Sequence, residues 1–383
     1  MTKIACDLCR KIGGWREADA HPVVPAPTDD SRQVAELRAV DGHGLSGHCV
    51  NIAEQSQGQT GVGKIHHLAP GGFLAAASIG QVHRAKFHGR DIVLKIQYPG
   101  VAQSIDSDMK ILRTVVDRLT PLFHGKKIDY SGLFQELTEV FKHETNYLRE
   151  AKFTTQFRAF IKDVPHLRVP EVIPELSTER VLALGFEAGE SLTTALKKPE
   201  FSEQVRLHYA KLFLDLYARE FLDWGVVQTD PNLGNFLIDL TTKDLVLLDF
   251  GAVREYPLEF RRQYRLVILA AARADRADCM VQLEKIGLLD PRESEATRDA
   301  LFELISESMR PFHTESFDFK NDPYAENMRK LGIAFVRQVK FTPPPRDLIF
   351  LHRKLGGIFQ VVKRLEVTMD LRPILKCFQD WQG

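Results

Sequence analysis

The sequence predicts an α+β protein of two lobes, a small strand-containing lobe followed by a larger and mostly helical one. Two short strand-like runs, ASIGQVHRAKF and DIVLKIQY, are joined by the turn signal HGR. A third strand-like run, VLALGF, occupies residues 181–186. From residue 190 onward the apolar residues recur mainly at helical spacing, interrupted by the loop QTDPNLGN and the strand-like LVLLDF. Together these patterns predict a strand-rich lobe placed before a helical one.

The same patterns divide the chain into three segments. Residues 1–68 are rich in Gly, His and Pro without sustained periodicity, and we expect a divergent, loop-rich N-terminal extension. Residues 69–187 form the predicted N-lobe, in which 101–120 and 131–161 have apolar positions at helical spacing. Residues 188–383 form the predicted helical C-lobe.

Composition is that of a soluble globular protein, with 44% hydrophobic residues and 51 basic against 51 acidic side chains in 383 residues. The zero net charge gives no sign of a nucleic-acid partner. No apolar run approaches the roughly 18 residues that a transmembrane helix needs, and no secretory signal or mitochondrial presequence is evident. We expect a cytoplasmic or peripheral membrane protein if the source is bacterial, and a mitochondrial or plastid one if it is eukaryotic.

Five cysteines without a regular framework favour a reducing compartment over a disulfide scaffold. Cys6 and Cys9 form a C-x-x-C pair, with His43, His48 and Cys49 downstream as conceivable zinc partners. No second closely spaced pair completes the ligand set, so we interpret these cysteines as incidental thiols rather than a zinc site.

The residues that phosphoryl transfer requires occur in the order that kinases use. The strand-like IVLK ends in Lys95, where an ammonium can reach nucleotide phosphates and pair with a helix carboxylate. Glu144, on the second predicted long helix, is our candidate partner. A lone lysine at a strand end is usually a solvated terminus, so the prediction depends on the joint match.

The predicted catalytic loop and metal ligands follow in the C-lobe. QTDPNLGN places Asp230 five residues before Asn235, the spacing of H-R-D-x-x-x-x-N. LLDFG then supplies Asp249, and oxygen ligands of this kind suit Mg²⁺. The sequence therefore predicts binding of ATP with Mg²⁺.

The predicted cover of the nucleotide lacks most of the usual glycines. Where ordinary kinases carry G-x-G-x-x-G-x-V, residues 75–82 read AAASIGQV and keep only Gly80 and Val82 of that frame. Alanine restricts positive backbone angles, so nucleotide preference and loop mobility should differ. A separate P-loop-like string, Gly58 to Lys64, lacks the Ser/Thr and the preceding strand, and we interpret it as a linker.

Five segments, AAASIGQVH, VLKIQYPGV, ETNYLREA, QTDPNLGNFLI and LLDFGAVRE, closely resemble the UbiB family, also called aarF-domain or ABC1-type atypical kinases. FTPPP and LHRKLGGIF are similar too, so the resemblance covers about residues 70–365. It implies a protein-kinase-like fold, Mg-nucleotide binding, and a part in making ubiquinone or related isoprenoid lipids.

The resemblance also implies roles for single residues. Lys95 and Glu144 would form the ion pair, Asp230 would be the catalytic-loop aspartate, and Asn235 and Asp249 would bind the metal. The residues assigned to nucleotide binding are Ala75, Ala76, Ala77, Ser78, Gly80, Gln81, Val82, Lys95 and Glu187.

Two departures from the family pattern qualify this resemblance. Glu144-Thr145-Asn146 replaces the family's E-x-D, so a metal or lysine contact expected there is weakened. Lys11 to Gly14 is only a degenerate counterpart of the N-terminal K-x-G-Q, and we do not expect it to function. Its loss would leave the pocket more open; equally, the N-terminal segment itself is divergent or defective.

Two functions remain open from the sequence. The first is an ATPase or small-molecule kinase that supports isoprenoid-quinone synthesis, because no A-P-E follows D-F-G and little room remains for a peptide-docking activation segment. The second is a pseudokinase scaffold that uses nucleotide to organise lipid-synthesising enzymes. We expect a nucleotide as one partner, and as another a membrane surface, an isoprenoid lipid or a quinone-biosynthesis protein. We expect the apolar face of helix 204–222 to belong to the core rather than to a docking surface.

Overall fold

We describe the fold from a computed structural model of the chain. The structure describes residues 68–76, 79–98, 100–124, 138, 145–341 and 346–383. The Cys6 and Cys9 pair with its candidate zinc partners, the degenerate motif at 11–14 and the P-loop-like string at 58–64 all lie outside the described residues.

The described residues group into two compact units. The first takes in the described residues up to Ala151 together with Val172–Phe186, and the second takes in Lys152–Glu171 with Glu187–Gly383. The strands are β1 (Leu68–Ala76), β2 (Gly80–Phe87), β3 (Arg90–Gln97), β4 (Leu167–Arg168), β5 (Val181–Gly185), β6 (Val226–Gln228), β7 (Phe236–Asp239), β8 (Asp244–Leu247), β9 (Val253–Glu255), β10 (Phe317–Asp318) and β11 (Thr368–Met369). The helices are α1 (Val101–His124), α2 (Tyr147–Phe160), α3 (Leu192–Ala195), α4 (Glu203–Ala218), α5 (Leu258–Ala272), α6 (Arg276–Lys285), α7 (Glu295–Met309), α8 (Tyr324–Gln338), α9 (Arg346–Leu365) and α10 (Arg372–Asp380).

A four-stranded antiparallel sheet, in the order β1-β2-β3-β5, forms the centre of the first unit. The two strand-like runs of the sequence correspond to β2 and β3, and VLALGF corresponds to β5, so these predicted strands are confirmed. In β3, Leu94 and Ile96 are fully buried in the sheet core. Because side chains alternate across a strand, Lys95 lies on the opposite face.

The second unit is mostly helical and carries three small sheets. These sheets have the orders β4-β8-β7, β6-β9 and β10-β11. Its large core is rich in aromatic side chains, among them Phe157, Phe213 and Phe250. The predicted α+β class, with a small strand-containing part and a larger helical part, is confirmed.

The apolar face of the predicted helix 204–222 belongs to this core. In α4, Tyr209, Phe213 and Leu214 are at most 1% exposed. A π-helical turn at Arg219–Trp224 continues α4 and ends at Gly225, which adopts a left-handed conformation that favours glycine. None of the described helices combines the length and the apolar character needed to cross a membrane.

Candidate functional site

Lys95 is held by a buried carboxylate in the first unit. Its Nζ lies 2.6 Å from Oε1 of Glu150, and the two side chains are only 10% and 3% exposed. Lys95 sits in the middle of β3, paired with Val82 of β2 and Leu182 of β5, so the sheet fixes the position of its backbone. Because Glu150 fixes the position of the Lys95 ammonium, this group could contact phosphate oxygens without a change of its side-chain conformation.

The structure gives Lys95 a carboxylate partner that the sequence did not suggest. This partner is Glu150, whereas Glu144, the predicted partner, lies outside the described residues and its pairing with Lys95 stays a prediction. Glu150 lies in the first turn of α2, which begins at Tyr147.

Asn146, the departure from the family's E-x-D, caps this helix. Its Oδ1 accepts a hydrogen bond from the backbone N–H of Arg149 at 3.0 Å, as an N-cap side chain does. Asn146 is exposed, and its amide satisfies one of the first backbone donors of α2. This cap stabilises the turn that carries Glu150.

We expect Asn146→Ala to lower the free energy of unfolding by about 1 kcal/mol, because a backbone donor at the helix start loses its acceptor. Urea denaturation measures this change. Asn146→Asp is the matched control, since a carboxylate caps a helix as well as an amide does. An equal loss in both variants would show that capping is not what Asn146 contributes.

Residues 75–82, which the sequence predicts to cover the nucleotide, belong largely to the two strands of a hairpin rather than to a loop. Ala75 pairs with Val82 and Ala76 with Gln81 in the β1–β2 hairpin, so the connection shrinks to residues 77–79. Ala77 and Ser78 lie outside the described residues. Gly80 is required at the start of β2, because a Cβ there would overlap the backbone carbonyl of Ile96.

The predicted catalytic loop forms a closed network in the second unit. Asn235 Nδ2 donates to Asp230 Oδ2 at 3.0 Å and to the Asp230 carbonyl at 3.3 Å. Asn232 closes the turn between them by accepting a hydrogen bond from Gly234 N–H on its own Oδ1 at 3.0 Å. The five-residue spacing read from the sequence thus brings Asp230 and Asn235 into direct contact.

Asp249 lies on the segment next to this loop. The backbone N–H of Leu248 donates to the carbonyl of Asn235 at 2.9 Å, and Asp249 Oδ1 accepts from Gly251 N–H at 2.9 Å. Phe250, fully buried against Phe157 at 4.6 Å between ring centroids, anchors the segment in the core. Asn235 and Asp249 are therefore neighbours at the end of β8.

These two residues fit a magnesium ion. Both offer oxygen: the Asp249 carboxylate, and Oδ1 of Asn235, whose amide nitrogen is used toward Asp230. Mg²⁺ characteristically takes one or two protein oxygens and completes its shell with phosphates and water. Among the described residues, no cluster of three or more His, Cys, Asp or Glu could hold a metal ion.

Gln228 and Thr229 replace the His-Arg of the usual H-R-D and are both buried. Gln228 Nε2 donates to the Asp230 carbonyl at 2.7 Å, and the Thr229 hydroxyl donates to the Ala252 carbonyl at 2.8 Å. Both side chains therefore support the backbone around Asp230. The loop therefore keeps side-chain hydrogen bonds at both positions where Gln228 and Thr229 replace His and Arg.

Helix α9 supplies residues that sequence reasoning did not assign. Arg353 donates to Asp230 Oδ1 at 2.7 Å, and Lys354 donates to Gln228 Oε1 at 3.0 Å. Lys354 also lies 3.2 Å from Glu220 of the π-helical turn, with side chains only 1% and 0% exposed. Burial raises the pKa of Glu220 to about 7, although Lys354 opposes the shift. The sequence offered one signal for this contact, the adjacent Arg353 and Lys354 within the family-like segment LHRKLGGIF.

Glu187, predicted to bind nucleotide, belongs to an arginine-centred cluster in the second unit. Its Oε2 lies 3.6 Å from Nε of Arg168, which also pairs with Asp239 and Asp244. Burial raises the pKa of Glu187, and Arg168 opposes the shift. The structure thus gives Glu187 a protein partner, and its contact with nucleotide stays a prediction.

The fold and these residues define the class of the protein: a protein-kinase-like chain with an H-R-D-type loop and a D-F-G segment. The chain belongs to the ABC1 atypical kinase-like domain family, whose model matches residues 67–283. The family read from the sequence motifs is confirmed.

Individual relatives agree with this assignment. The chain is 34% identical to atypical kinase COQ8, mitochondrial, of Saccharomyces cerevisiae over 307 residues, which cover 79% of this chain and 60% of the relative. It is 34% identical to atypical kinase COQ8B, mitochondrial, of Rattus norvegicus over 333 residues, covering 86% and 61%. The chain thus matches only about three fifths of these relatives' length.

A solved structure shares the fold. Rv3197 of Mycobacterium tuberculosis, determined in complex with erythromycin, superposes with a TM-score of 0.64 at 21% identity, covering 92% of this chain and 91% of the other. At this identity the likeness concerns the fold alone.

Proposed function

We propose that this chain binds Mg-ATP and acts as an atypical kinase or ATPase that supports the biosynthesis of ubiquinone or a related isoprenoid lipid. The observation that carries the proposal is the contact of Asp230 with Asn235 beside the segment that bears Asp249. A carboxylate near the acceptor and two oxygen ligands for Mg²⁺ are the groups that phosphoryl transfer needs.

Lys95 contributes the cation. Because Glu150 holds its ammonium at 2.6 Å on a central strand, the lysine can meet nucleotide phosphates without first being ordered. The bound Mg²⁺ would neutralise charge on the phosphate oxygens, and Asn235 and Asp249 would hold it. Asp230 would orient the acceptor hydroxyl or an attacking water.

The lipid connection is supported by the relatives named as mitochondrial COQ8 kinases. We propose nucleotide as the first partner, and a membrane surface, an isoprenoid lipid or a quinone-biosynthesis protein as the second. A mitochondrial or plastid location follows for a eukaryotic source, and a cytoplasmic or peripheral membrane one for a bacterial source.

We expect Asp249→Asn to abolish Mg²⁺-dependent ATP binding, because a carboxylate ligand becomes a neutral amide. Calorimetric titration of ATP with and without Mg²⁺ measures the binding, and phosphate release with and without lipid vesicles measures the turnover. Asp380→Asn, an exposed change on α10, is the matched control and should bind as the wild type does.

The same pair of variants tests the cellular role. In a strain that lacks the protein, the wild type and Asp380→Asn should restore the quinone profile, and Asp249→Asn should not. ATP binding without turnover in the wild type would favour the nucleotide-switched scaffold, and no Mg²⁺-dependent binding at all would contradict both functions.

A further inference from the structure

Four residues along α9 face the catalytic loop and the segment after Asp249. Phe350 stacks under the guanidinium of Arg254 in β9, with 3.7 Å from the Arg254 Cζ to the ring centroid. One helical turn later come the contacts of Arg353 with Asp230 and of Lys354 with Gln228. Residues three and four apart share a helix face, so α9 presents one continuous surface to the loop.

Gly357 brings the helix backbone directly onto the loop. A Cβ built on Gly357 would overlap the Cβ and Cγ of Pro231, the residue that follows Asp230. Only glycine therefore allows α9 and the loop to approach this closely. The proline ring in turn restricts the backbone of the loop at that position.

Arg353 completes the hydrogen bonding of the Asp230 carboxylate. Oδ1 accepts from Arg353 at 2.7 Å, and Oδ2 accepts from Asn235 at 3.0 Å. Because each carboxylate oxygen of Asp230 accepts one of these hydrogen bonds, the two bonds together set the orientation of the carboxylate plane. The Arg353 side chain stays 40% exposed, so it remains on the solvent side of Asp230.

The loop itself has no cation at the position where H-R-D kinases carry arginine, because Thr229 stands there and is 3% exposed. Here a guanidinium reaches the aspartate from a helix more than a hundred residues later in the chain.

We propose that α9 is a permanent clamp on the catalytic loop, in which Arg353 is the positioning residue for Asp230. The inference rests on the proposed function for the role of Asp230, and it adds that a helix more than a hundred residues later in the chain sets the position of the Asp230 carboxylate. The clamp has two parts: Arg353 holds the Asp230 carboxylate, while Lys354 holds the side chain of Gln228 and Gly357 packs against the ring of Pro231.

An inhibitory role for Arg353 makes the opposite prediction. If the ion pair only blocked Asp230, its removal would raise turnover. The additional contacts of α9 with Gln228 and Pro231 favour positioning, because a releasable blocking contact does not need a second, buried attachment to the same loop.

The test compares Arg353→Ala, Arg353→Lys and the matched control Arg364→Ala, an exposed arginine of the same helix. We expect Arg353→Ala to lower kcat for ATP turnover by about tenfold to a hundredfold, because small misplacements of a reacting group cost this much. Arg353→Lys should recover part of the loss, since lysine keeps the charge without the fork. The unfolding midpoint should remain that of the wild type in all three variants, and the Kd for Mg-ATP should change much less than kcat does.

Hydrogen exchange supplies a readout that does not depend on turnover. In Arg353→Ala, amides of residues 228–235 should exchange faster while those of the strands in the first unit stay protected, and Arg364→Ala should match the wild type. If the wild type binds no ATP or does not turn it over, this exchange result still supports the clamp while the proposed function fails.

Three results would overturn the inference. The first is an increase in kcat in Arg353→Ala, which would mean inhibition. The second is unchanged exchange of the loop in that variant. The third is a loss of kcat that Arg364→Ala shares or that accompanies a lower unfolding midpoint, since either would mean general destabilisation.

Discussion

Lys354→Met should lower the free energy of unfolding at pH 8 by about 3–5 kcal/mol, the cost of removing one partner of a buried ion pair. Lys354 and Glu220 are at most 1% exposed, so no water compensates the carboxylate that remains. Methionine keeps much of the volume of the lysine stem, which limits the contribution of a cavity. Denaturant unfolding measures the change.

The loss should also depend on pH, because burial raises the pKa of Glu220 to about 7. A carboxyl whose pKa is raised in the folded state binds protons more tightly there than in the unfolded state, so its contribution to stability falls as pH rises from its ordinary value. Lys354 opposes this rise in the pKa of Glu220, so the pKa should rise further when Lys354 is removed. The deficit of Lys354→Met relative to the wild type should therefore be smaller at pH 5 than at pH 8.

The double variant Lys354→Met with Glu220→Gln is the control. It removes both charges, so it should be more stable at pH 8 than Lys354→Met and lose the extra pH dependence. A deficit of Lys354→Met that is the same at pH 5 and pH 8 would contradict a buried, charged Glu220 as its cause.

Gly357→Ala should destabilise the protein by about 1–3 kcal/mol and impair turnover, because the added methyl group overpacks the contact with the catalytic loop. The Cβ would overlap two atoms of the Pro231 ring, and a proline ring cannot rotate away as a flexible side chain can. Either α9 or the loop that carries Asp230 must move.

The chain offers a matched control one residue earlier. A Cβ on Gly356, in the same helix, meets nothing within 4 Å. Gly356→Ala should therefore stabilise the helix by about 0.5–1 kcal/mol, as the replacement of a mid-helix glycine usually does. Unfolding and ATP turnover of the two variants separate the steric effect from helix propensity, and equal behaviour would contradict the close approach at Gly357.

The relation between Lys95 and its carboxylate shows where sequence reasoning stops. The strand-like IVLK selected Lys95 only together with the motifs that follow it, and in the structure β3 continues past Lys95 to Gln97. Sequence analysis did not find Glu150, because its contact with Lys95 joins residues 55 positions apart. The helix that carries Glu150 begins after the cap at Asn146, which the sequence marked only as a departure from E-x-D.

For the catalytic loop, the sequence was more informative. Its five-residue spacing already decides that Asp230 and Asn235 can meet, since a short turn closed by Asn232 brings them together. The part that Gln228 plays could not be judged from the sequence, because its partner Lys354 lies more than a hundred residues away in the chain.

The sequence by itself determined the α+β class, from local periodicity, and the family, from the resemblance of short segments. The roles of Lys95, Asp230, Asn235 and Asp249 stay predictions. The tertiary structure alone decided that Glu150 holds Lys95 and that α9 holds the catalytic loop. The physical reason is that a buried ion pair or a backbone contact such as that of Gly357 depends on which surfaces meet when the chain is packed. The sequence around each of two such residues does not show that they are in contact in the folded chain.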